Sequence, residues 1–346
     1  MRQIVHHELG DPVRVLTLKD VPAPVLAPGQ VRVRTTYVPI HPGDLLGVMG
    51  SPAFGSPPEI GPTGRVPGFE GVGVVTELGP AVDPTYGIAP GMRVAFFPAN
   101  AAWSEEVAVS ATSVVPLPVE VPDEVGAQML VNIATAQTVI RAAHDSLPSS
   151  ARNDVVTLLT AAGSAVGRLI SRILIDNGVL PIRLVRSEQG AAVLARTLPG
   201  TPVFATETPD WKTRVRETVG ERKIYVAIDS VGGRLLGDVA ELLADGEGTV
   251  VNFGSLGGET SDIRIFPPRS LTLKGVVIGN WFQVSADKRK SDIALALRLA
   301  GQPAGLFDVA ARYPATQVKE AVAHVGRPGR VGAVLLHFPT TERTNP

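Results

Sequence analysis

The chain has 346 residues, 44% of them hydrophobic, and its 32 Lys and Arg and 33 Asp and Glu give a formal net charge of −1. This charge balance argues against a broad basic surface for binding nucleic acid or anionic lipid. Because the sequence contains no cysteine, it excludes disulfides, thiolate nucleophiles and iron–sulfur clusters, and we expect a reducing compartment, the cytoplasm. Length alone predicts roughly two domains.

The N-terminal stretch MRQIVHHELG lacks the apolar core of a secretory signal and carries an acidic residue early, so we expect neither a signal nor a transit peptide. The most apolar region, 169–185, is interrupted by Arg172, Asp176 and Arg183. No run reaches the roughly 20 residues that a membrane span requires. We therefore expect no membrane association.

Residues 21–122 are dense in proline and glycine, which separate short apolar runs such as 31–34 and 72–75. This pattern predicts short strands joined by tight turns. From about residue 123 apolar residues recur at helical spacing, and strand-like apolar runs then alternate with helical segments as far as about residue 283. The alternation predicts a parallel, doubly wound sheet.

The later part of the chain also contains predicted elements with definite limits. The predicted strands are 154–160, 181–186, 224–229, 248–253, 271–278 and 331–338, and predicted helices lie at 287–300 and 315–324. We expect residues 1–123 and 284–346 to form one β-rich domain. Residues 124–283 then form an inserted dinucleotide-binding domain, with the ligand between the two domains.

The clearest local signal is a strand, a small-residue turn and a helix in succession. The strand at 154–160 leads into AAGSAVG at 161–167, and apolar residues spaced for one helix face continue to about Asn177. Such a turn binds pyrophosphate because small residues let the backbone approach and the helix N-terminus offers unpaired N–H groups. The turn lacks the middle glycine of GxGxxG and is closer to AxxGxxG, so a plain strand-to-helix connection is the alternative. The candidate contacts in the turn are Gly163, Ser164, Ala165, Val166 and Gly167.

The end of the second predicted strand of this domain indicates which dinucleotide binds. Arg186 lies 19 residues after Gly167 (186 − 167), where NAD-selective sites place an acidic residue against the ribose 2′-OH. Arginine suits a 2′-phosphate instead, and Ser187 adds a hydroxyl donor. A solvated arginine neutralised by Glu188 is the alternative, but we favour NADPH over NADH.

Two further glycine-rich turns follow later strands, at 230–233 and 253–256. Ligands of parallel sheets bind at the carboxyl ends of the strands. Three such turns at one edge of a sheet favour a bound dinucleotide.

Motifs spread along the chain resemble those of the medium-chain dehydrogenase/reductase superfamily. They are IHPGDL at 40–45, PGFEGVGVV at 67–75 and PGMRV at 90–94. The resemblance covers almost the whole chain and implies an α/β fold in which a GroES-like β-rich catalytic domain carries an inserted, doubly wound Rossmann-type cofactor domain. Segments 97–105 and 131–136 look like those of the zinc-independent, mitochondrial-type trans-2-enoyl thioester reductases, and the zeta-crystallin-like quinone oxidoreductases are next nearest.

This resemblance implies metal-free, NADPH-dependent reduction of a carbon–carbon double bond conjugated to a carbonyl, in an enone or an enoyl thioester. It also implies a homodimer that pairs through the strand at 271–278. The residues that it brings into the cofactor site are Asn132, Thr135, Gly163, Ser164, Ala165, Val166, Arg186, Ser187, Glu188, Phe253, Gly254, Ser255, Leu256 and Val277.

Two departures from the family's motifs bear on the chemistry. The catalytic-zinc members have cysteine where His41 stands and histidine where Phe69 stands, so we expect no metal here. The enoyl thioester reductases have a tyrosine shortly after the first motif. In this chain Phe54 stands in that region, and it has no proton to give.

The working hypothesis is hydride transfer to the β-carbon, which creates an enolate that must be stabilised and protonated. Asn132 is the candidate donor to the enolate oxygen, and its alternative role is that of a helix-capping amide. His41 is a candidate acid, and its alternative is a structural histidine. Water or a ribose hydroxyl could also supply the proton. NADPH:quinone oxidoreduction is a second hypothesis, and a catalytically silent NADPH-binding regulatory protein is a third. Arg269 is a candidate contact to a coenzyme A phosphate, with a solvated surface arginine as the alternative. Trp103 and Trp281 are candidates to line the substrate site, but packed tryptophan is the interpretation that we favour.

Overall fold

The computed structural model describes residues 1–51, 59–151, 155–257, 260–261, 263–302 and 304–338. Its strands are β1 (Arg2–Val5), β2 (Thr17–Asp20), β3 (Gln30–Pro39), β4 (Gly71–Leu78), β5 (Arg93–Phe96), β6 (Glu106–Ser110), β7 (Val114–Pro116), β8 (Val156–Leu159), β9 (Ile182–Val185), β10 (Val203–Ala205), β11 (Ile224–Asp229), β12 (Thr249–Asn252), β13 (Thr272–Gly275), β14 (Val309–Pro314) and β15 (Ala333–His337). Its α-helices are α1 (Pro12–Val15), α2 (Pro42–Met49), α3 (Asp123–Gly126), α4 (Met129–His144), α5 (Ala165–Asp176), α6 (Glu188–Thr197), α7 (Trp211–Val219), α8 (Gly233–Ala240), α9 (Ala286–Ala300) and α10 (Val318–Val325).

The chain divides into two compact units. The first unit comprises Met1–Val131, Leu295–Pro303 and Phe307–Pro346, and the second unit comprises Asn132–Ala294 and Ala304–Leu306. Both ends of the chain therefore contribute to the first unit. The domain limits expected from the sequence stay a prediction.

The first unit is built on a mainly antiparallel sheet with the order β14-β15-β3-β4-β5-β7, and β6 also pairs with β3. Its core includes Val33, Val38, Phe96 and Trp103, each with 0% exposure. Trp103 also donates its indole N–H to the carbonyl oxygen of Pro39 at 3.2 Å. This sheet confirms the predicted GroES-like β-rich fold.

The second unit contains a parallel sheet with the order β10-β9-β8-β11-β12-β13. The order reverses at β8, which confirms the predicted doubly wound arrangement. Each of its strands other than β10 lies within a predicted range, but β13 ends at Gly275 and a short 3-10 helix begins at Ile278, so the prediction of a strand to 278 was too long. The sequence did not predict β10, because three residues are too few for a period of two to stand out.

Helix α5 shows why the sequence was informative here. Its apolar residues Leu169, Ile170, Ile173 and Leu174 are buried and recur at the spacing of one helix face. The predicted end at about Asn177 is confirmed, since that residue is the C-cap. Among the described residues, no helix has the length and apolar character that crossing a bilayer requires.

Candidate functional site

The turn between β8 and α5 is closed by its own residues. Ser164 is the N-cap of α5, and its Oγ accepts a hydrogen bond from the amide of Gly167 at 3.0 Å. A Cβ built on Gly167 would lie 2.4 Å from the carbonyl oxygen of Ala161. Only glycine therefore lets the helix approach the turn this closely.

Two amides in this turn remain open. The N–H groups of Ala165 and Val166 donate to no group within the part of the chain that the structure describes. Gly163 is exposed, and a Cβ built on it would approach only Val185, at 3.7 Å. Open N–H groups at the start of a helix attract an anion because they add to the positive end of the helix dipole. The turn therefore fits the pyrophosphate of a dinucleotide.

A buried arginine fixes the shape of the same turn. Arg168 is 3% exposed; its Nε donates to the carbonyl oxygen of Gly163 at 3.2 Å and its Nη1 to that of Gly305 at 2.9 Å. The sequence analysis missed this residue. The signal that could have found it is a charged residue on the otherwise apolar face of a predicted helix.

Arg186 follows β9, next to the turn that follows its neighbour β8. Its side chain is exposed and makes no hydrogen bond or ion pair with any other residue that the structure describes. Glu188 does not neutralise it, because the Glu188 carboxylate lies 3.9 Å from Arg214 instead. Ser187 caps α6 by accepting a hydrogen bond from the Gly190 amide at 3.1 Å, which leaves its own hydroxyl hydrogen free to donate.

A buried carboxylate joins the ends of the central strands. Asp229 is 0% exposed and accepts hydrogen bonds from the Thr160 hydroxyl (2.6 Å), the amides of Val231 (3.1 Å) and Gly232 (2.9 Å), and the Asn252 side chain (2.8 Å). These bonds connect the carboxyl ends of β8, β11 and β12. Sequence reasoning missed Asp229, although an acidic residue between a buried strand and a glycine pair was a usable signal.

The remaining predicted cofactor residues lie on three segments of the second unit. The loop Phe253–Leu256 follows β12 and is held by a hydrogen bond from the Asn252 side chain to the Gly254 carbonyl oxygen at 2.9 Å. Val277 follows β13 and is 65% exposed. Asn132, which is 4% exposed, and Thr135 are three residues apart on α4, so they share one face of that helix.

His41 lies in the first unit, where the motif at 40–45 begins a helix. It is the N-cap of α2, and Pro42 follows at a position where its fixed φ suits a first helical turn. The Asp44 carboxylate reaches back and accepts a hydrogen bond from the His41 amide at 2.8 Å, as in a capping box. This cap and the position of Pro42 explain why a segment with proline and glycine forms a helix here.

The His41 ring pairs with a buried glutamate. His41 Nε2 lies 2.7 Å from Glu70 Oε1, and Glu70 Oε2 accepts a hydrogen bond from the Val131 amide at 2.9 Å. Burial by itself lowers the pKa of His41, but the hydrogen bond and charge of Glu70, together with the charge of Asp44, outweigh it, so the pKa of His41 is raised above 6.5. These two carboxylates therefore favour the imidazolium form of His41.

Asp44 is the second carboxyl group near this ring, and the sequence analysis did not single it out. It is 3% exposed, and burial raises its pKa from 3.8 to about 6 even though the charge and the backbone amide of His41 favour ionisation. Its Oδ1 atom is buried and has no hydrogen-bond partner among the described residues. Asp44 thus changes its charge close to neutral pH.

A cavity of about 360 Å³ lies beside Asp44 in the first unit. Its polar side chains are those of Asp44, Arg65 and Asn100. Its other lining residues are Gly43, Gly47, Gly64, Val66, Pro67, Gly68, Phe69 and Ala101. The cavity therefore offers a positive group, an amide and a carboxyl group within a largely apolar wall.

The side chains around His41 do not fit a zinc site. Zinc in proteins takes three or four nitrogen, sulfur or oxygen ligands, whereas His41 Nε2 and both Glu70 oxygens already have hydrogen-bond partners. Within the described ranges, no group of three or more His, Asp or Glu side chains is placed to hold a metal ion.

Three other candidates from the sequence have different outcomes. Phe54 lies outside the described residues. Arg269 does not fit a coenzyme A contact, because its guanidinium donates to the carbonyl oxygens of Ala240 and Leu243 and pairs with Asp245 at the end of α8. Trp281 is 6% exposed and donates its indole N–H to Asp292 at 2.7 Å, which makes it a packed residue of the second unit.

Comparisons with known proteins agree with this fold. Residues 27–119 match the sequence model of the alcohol dehydrogenase GroES-like domain, and residues 165–299 match that of the zinc-binding dehydrogenases. The human mitochondrial enoyl-[acyl-carrier-protein] reductase is 26% identical over 86% of this chain and 78% of its own length. A 2-haloacrylate reductase from Burkholderia sp is 25% identical over 97% of this chain and 98% of its own. The structure of a Bacillus thuringiensis protein assigned as an NADPH:quinone reductase superposes with a TM-score of 0.84 at 27% identity and covers 98% of this chain and 99% of that one.

Proposed function

The chain belongs to the medium-chain dehydrogenase/reductase superfamily, and from this premise we propose that it is an NADPH-dependent oxidoreductase that reduces a carbon–carbon double bond conjugated to a carbonyl. The substrate would be an enone or an enoyl compound. The proposed reaction adds a hydride to the β-carbon and a proton to the α-carbon, without a metal.

The observation that carries the cofactor choice is the state of Arg186. It is exposed and unpaired among the described residues, at the end of β9, and the open amides of Ala165 and Val166 lie after the neighbouring strand β8. A guanidinium next to a helix N-terminus suits a nucleotide with a phosphate on the ribose, since both groups favour negative charge. NADH, which has only a 2′-OH, offers Arg186 no anion to bind.

We propose a separate role for each group of residues around the cofactor. Bound NADPH supplies the hydride. Gly163 to Gly167 would hold the pyrophosphate, and Arg186 with Ser187 would hold the 2′-phosphate. We place Asn132, Thr135, Phe253–Leu256 and Val277 in the same cofactor site, with Asn132 also a candidate donor to the enolate oxygen.

His41 is the candidate acid of the proposed reaction. Glu70 and Asp44 favour its protonated form, because they raise the pKa of His41. A protonated imidazole has an N–H at each ring nitrogen, so pairing Nε2 with Glu70 leaves the Nδ1 proton to give. The carboxylates thus maintain the proton supply that the missing tyrosine would provide.

Relatives named as enoyl-[acyl-carrier-protein] and 2-haloacrylate reductases support reduction of a conjugated double bond. Quinone reduction is a second candidate, favoured by the similarity to the Bacillus thuringiensis protein. The two reactions differ in whether an acid must protonate a carbon atom. Replacing His41 with glutamine should therefore lower the rate of enone reduction and affect the rate of quinone reduction far less. A silent NADPH-binding regulatory role is the third candidate.

The test begins with an anaerobic titration of the protein with NADPH and NADH. We expect NADPH to bind more tightly and then to be oxidised in the presence of crotonyl-CoA, a long-chain enoyl-CoA, a quinone or a simple enone. NADPH consumption should match the number of double bonds removed. Equal affinity for the two nucleotides would contradict the role of Arg186, and tight binding without turnover would favour the regulatory role.

Two further predictions accompany this function. We propose a cytoplasmic homodimer in which β13 pairs with its copy. β13 is an edge strand of the parallel sheet, and its Leu273 side chain is 43% exposed, which supports pairing because an open edge is a template for another strand. Sedimentation that shows only monomer at micromolar concentration would contradict the dimer.

A further inference from the structure

The cavity beside Asp44 contains an arginine whose side chain has no direct hydrogen bond or ion pair with the described residues, although its charge interacts with that of Asp44. The Arg65 side chain is partly buried, and it forms no hydrogen bond and no ion pair with other residues in the described ranges. Other arginines of the first unit with limited exposure are paired, as Arg2 is with Glu105, Arg32 with Glu77 and Arg93 with Asp123. A desolvated cation without a partner is costly, so Arg65 is an exception that points to a ligand.

Arg65 is held firmly enough to serve as a binding group. Its amide donates to the His6 carbonyl oxygen at 2.9 Å, and its own carbonyl oxygen accepts from the His6 amide at 3.0 Å. This two-bond bridge fixes the backbone from which the guanidinium projects. A guanidinium presents two parallel N–H groups to a carboxylate, which a flexible ammonium group does not.

Asn100 and Asp44 complete the polar part of the cavity. The Asn100 side chain is exposed and has no hydrogen-bond partner among the described residues, so its amide is a second free donor. Asp44 is 3% exposed, and its Oδ1 is buried without a hydrogen-bond partner among the described residues. A carboxyl group in its acid form donates from that oxygen, and an anion bound nearby favours the acid form.

We propose that this cavity binds a carboxylate group of the substrate through Arg65 and Asn100, with Asp44 as a third contact. The inference rests on the proposed reductase function and makes it more specific. The substrate class becomes enoic acids and enones that carry a free carboxylate, rather than thioesters of a large carrier.

A carboxylate suits these groups better than a phosphate. Asp44 senses the charges of His41 and Glu70 as well as that of Arg65. A second negative charge on the ligand would face only one arginine in the cavity, which does not offset it. A monoanion that shares one proton with Asp44 avoids this cost.

The proposal is tested first by binding, independently of turnover. 4-Oxopentanoate and its methyl ester, a matched charged and neutral pair that cannot be reduced at a double bond, are titrated calorimetrically into the NADP⁺-loaded protein, with inorganic phosphate as a third probe. We expect the acid to bind at least about tenfold more tightly than the ester, as for a charge-assisted hydrogen bond. Arg65→Gln should abolish this preference, Arg65→Lys should restore part of it, and Asn100→Ala should reduce it. Arg14→Gln, which alters an exposed arginine on α1 of the same unit, should leave the preference intact.

Three results would overturn the carboxylate site. They are equal affinity for acid and ester, a preference that survives in Arg65→Gln, and a phosphate affinity above that of the acid. The unsaturated pair, 4-oxopent-2-enoate and its methyl ester, then separates this proposal from the proposed function. Reduction of both without a preference for the acid would reject the carboxylate site alone. Arg65-dependent binding of the saturated acid, with no reduction of either enone, would reject the reductase function and leave the site standing.

Discussion

Replacing Asp44 with asparagine should remove part of the pH dependence of the free energy of unfolding. Burial raises the pKa of Asp44 from its ordinary value of 3.8 to about 6. The folded chain therefore binds a proton in a range where the unfolded chain has released it. The stabilisation from this proton is complete below pH 3.8 and is lost as the pH rises through about 6.

The size of the effect follows from the same two values. A difference of one pKa unit corresponds to about 1.36 kcal/mol, so a rise from 3.8 to about 6 corresponds to about 3 kcal/mol in total. About 2 kcal/mol of this stabilisation is lost between about pH 4 and pH 6. In that range His41 stays protonated in the folded chain, because its pKa is raised, so it contributes little to the change.

The measurement is urea unfolding of the native and Asp44→Asn proteins at several pH values in this range. The difference in free energy should move in favour of the variant as the pH rises, because asparagine has no proton to lose. Asp20→Asn, at an exposed position on β2, is the matched control and should show no comparable gain. A difference that stays constant from about pH 4 to pH 6 would mean that Asp44 ionises alike in both states, and would refute the reasoning.

Other substitutions test separate parts of the site. Arg186→Gln should weaken NADPH binding by roughly tenfold or more and NADH binding far less, since a charge-assisted hydrogen bond is worth about 1.5–3 kcal/mol. An equal loss of NADPH affinity in the control Arg216→Gln, at an exposed position, would show that Arg186 does not bind the 2′-phosphate specifically. Gly167→Ala should cost about 1–3 kcal/mol in denaturant unfolding, because its Cβ would lie 2.4 Å from the Ala161 carbonyl oxygen, and unchanged stability would contradict that contact. Enone turnover should fall as the pH rises through the raised pKa of His41, since the imidazolium is the acid. A pH–rate profile whose alkaline limb survives in His41→Gln would assign the proton to another group.

The parallel sheet of the second unit could be predicted because its signals are local. Strands β8, β9, β11 and β12 each lie within a predicted range, since buried parallel strands read as apolar runs between helical segments. The sequence did not predict β14, a six-residue strand with the sequence VAARYP whose residues are only partly buried or exposed, because it has no clear apolar alternation. This segment forms a strand because it pairs with β15.

Some residues of the candidate site could likewise be predicted from the local sequence, and others could not. Arg186 was found by counting from the glycine turn, because a strand, a turn and a helix of ordinary length place it at a fixed distance. Asp229 was missed, since its contact with Thr160 spans 69 residues of sequence. The amides of Val231 and Gly232 lie close to Asp229 in the sequence, but nothing there shows that the Thr160 hydroxyl and the Asn252 side chain will meet it.

The sequence by itself determined the superfamily motifs, the absence of cysteine ligands, the doubly wound sheet and the position of Arg186, because each depends on residue identity and on spacing within a short segment. Only the tertiary structure decided that His41 pairs with Glu70, 29 residues away, that Asp44 is buried near charged groups, and that the Arg65 side chain lines a cavity without a hydrogen bond or ion pair to the described residues. The physical reason is that protonation and ligand binding depend on burial and on neighbouring charges. Those surroundings exist only after distant segments have packed together.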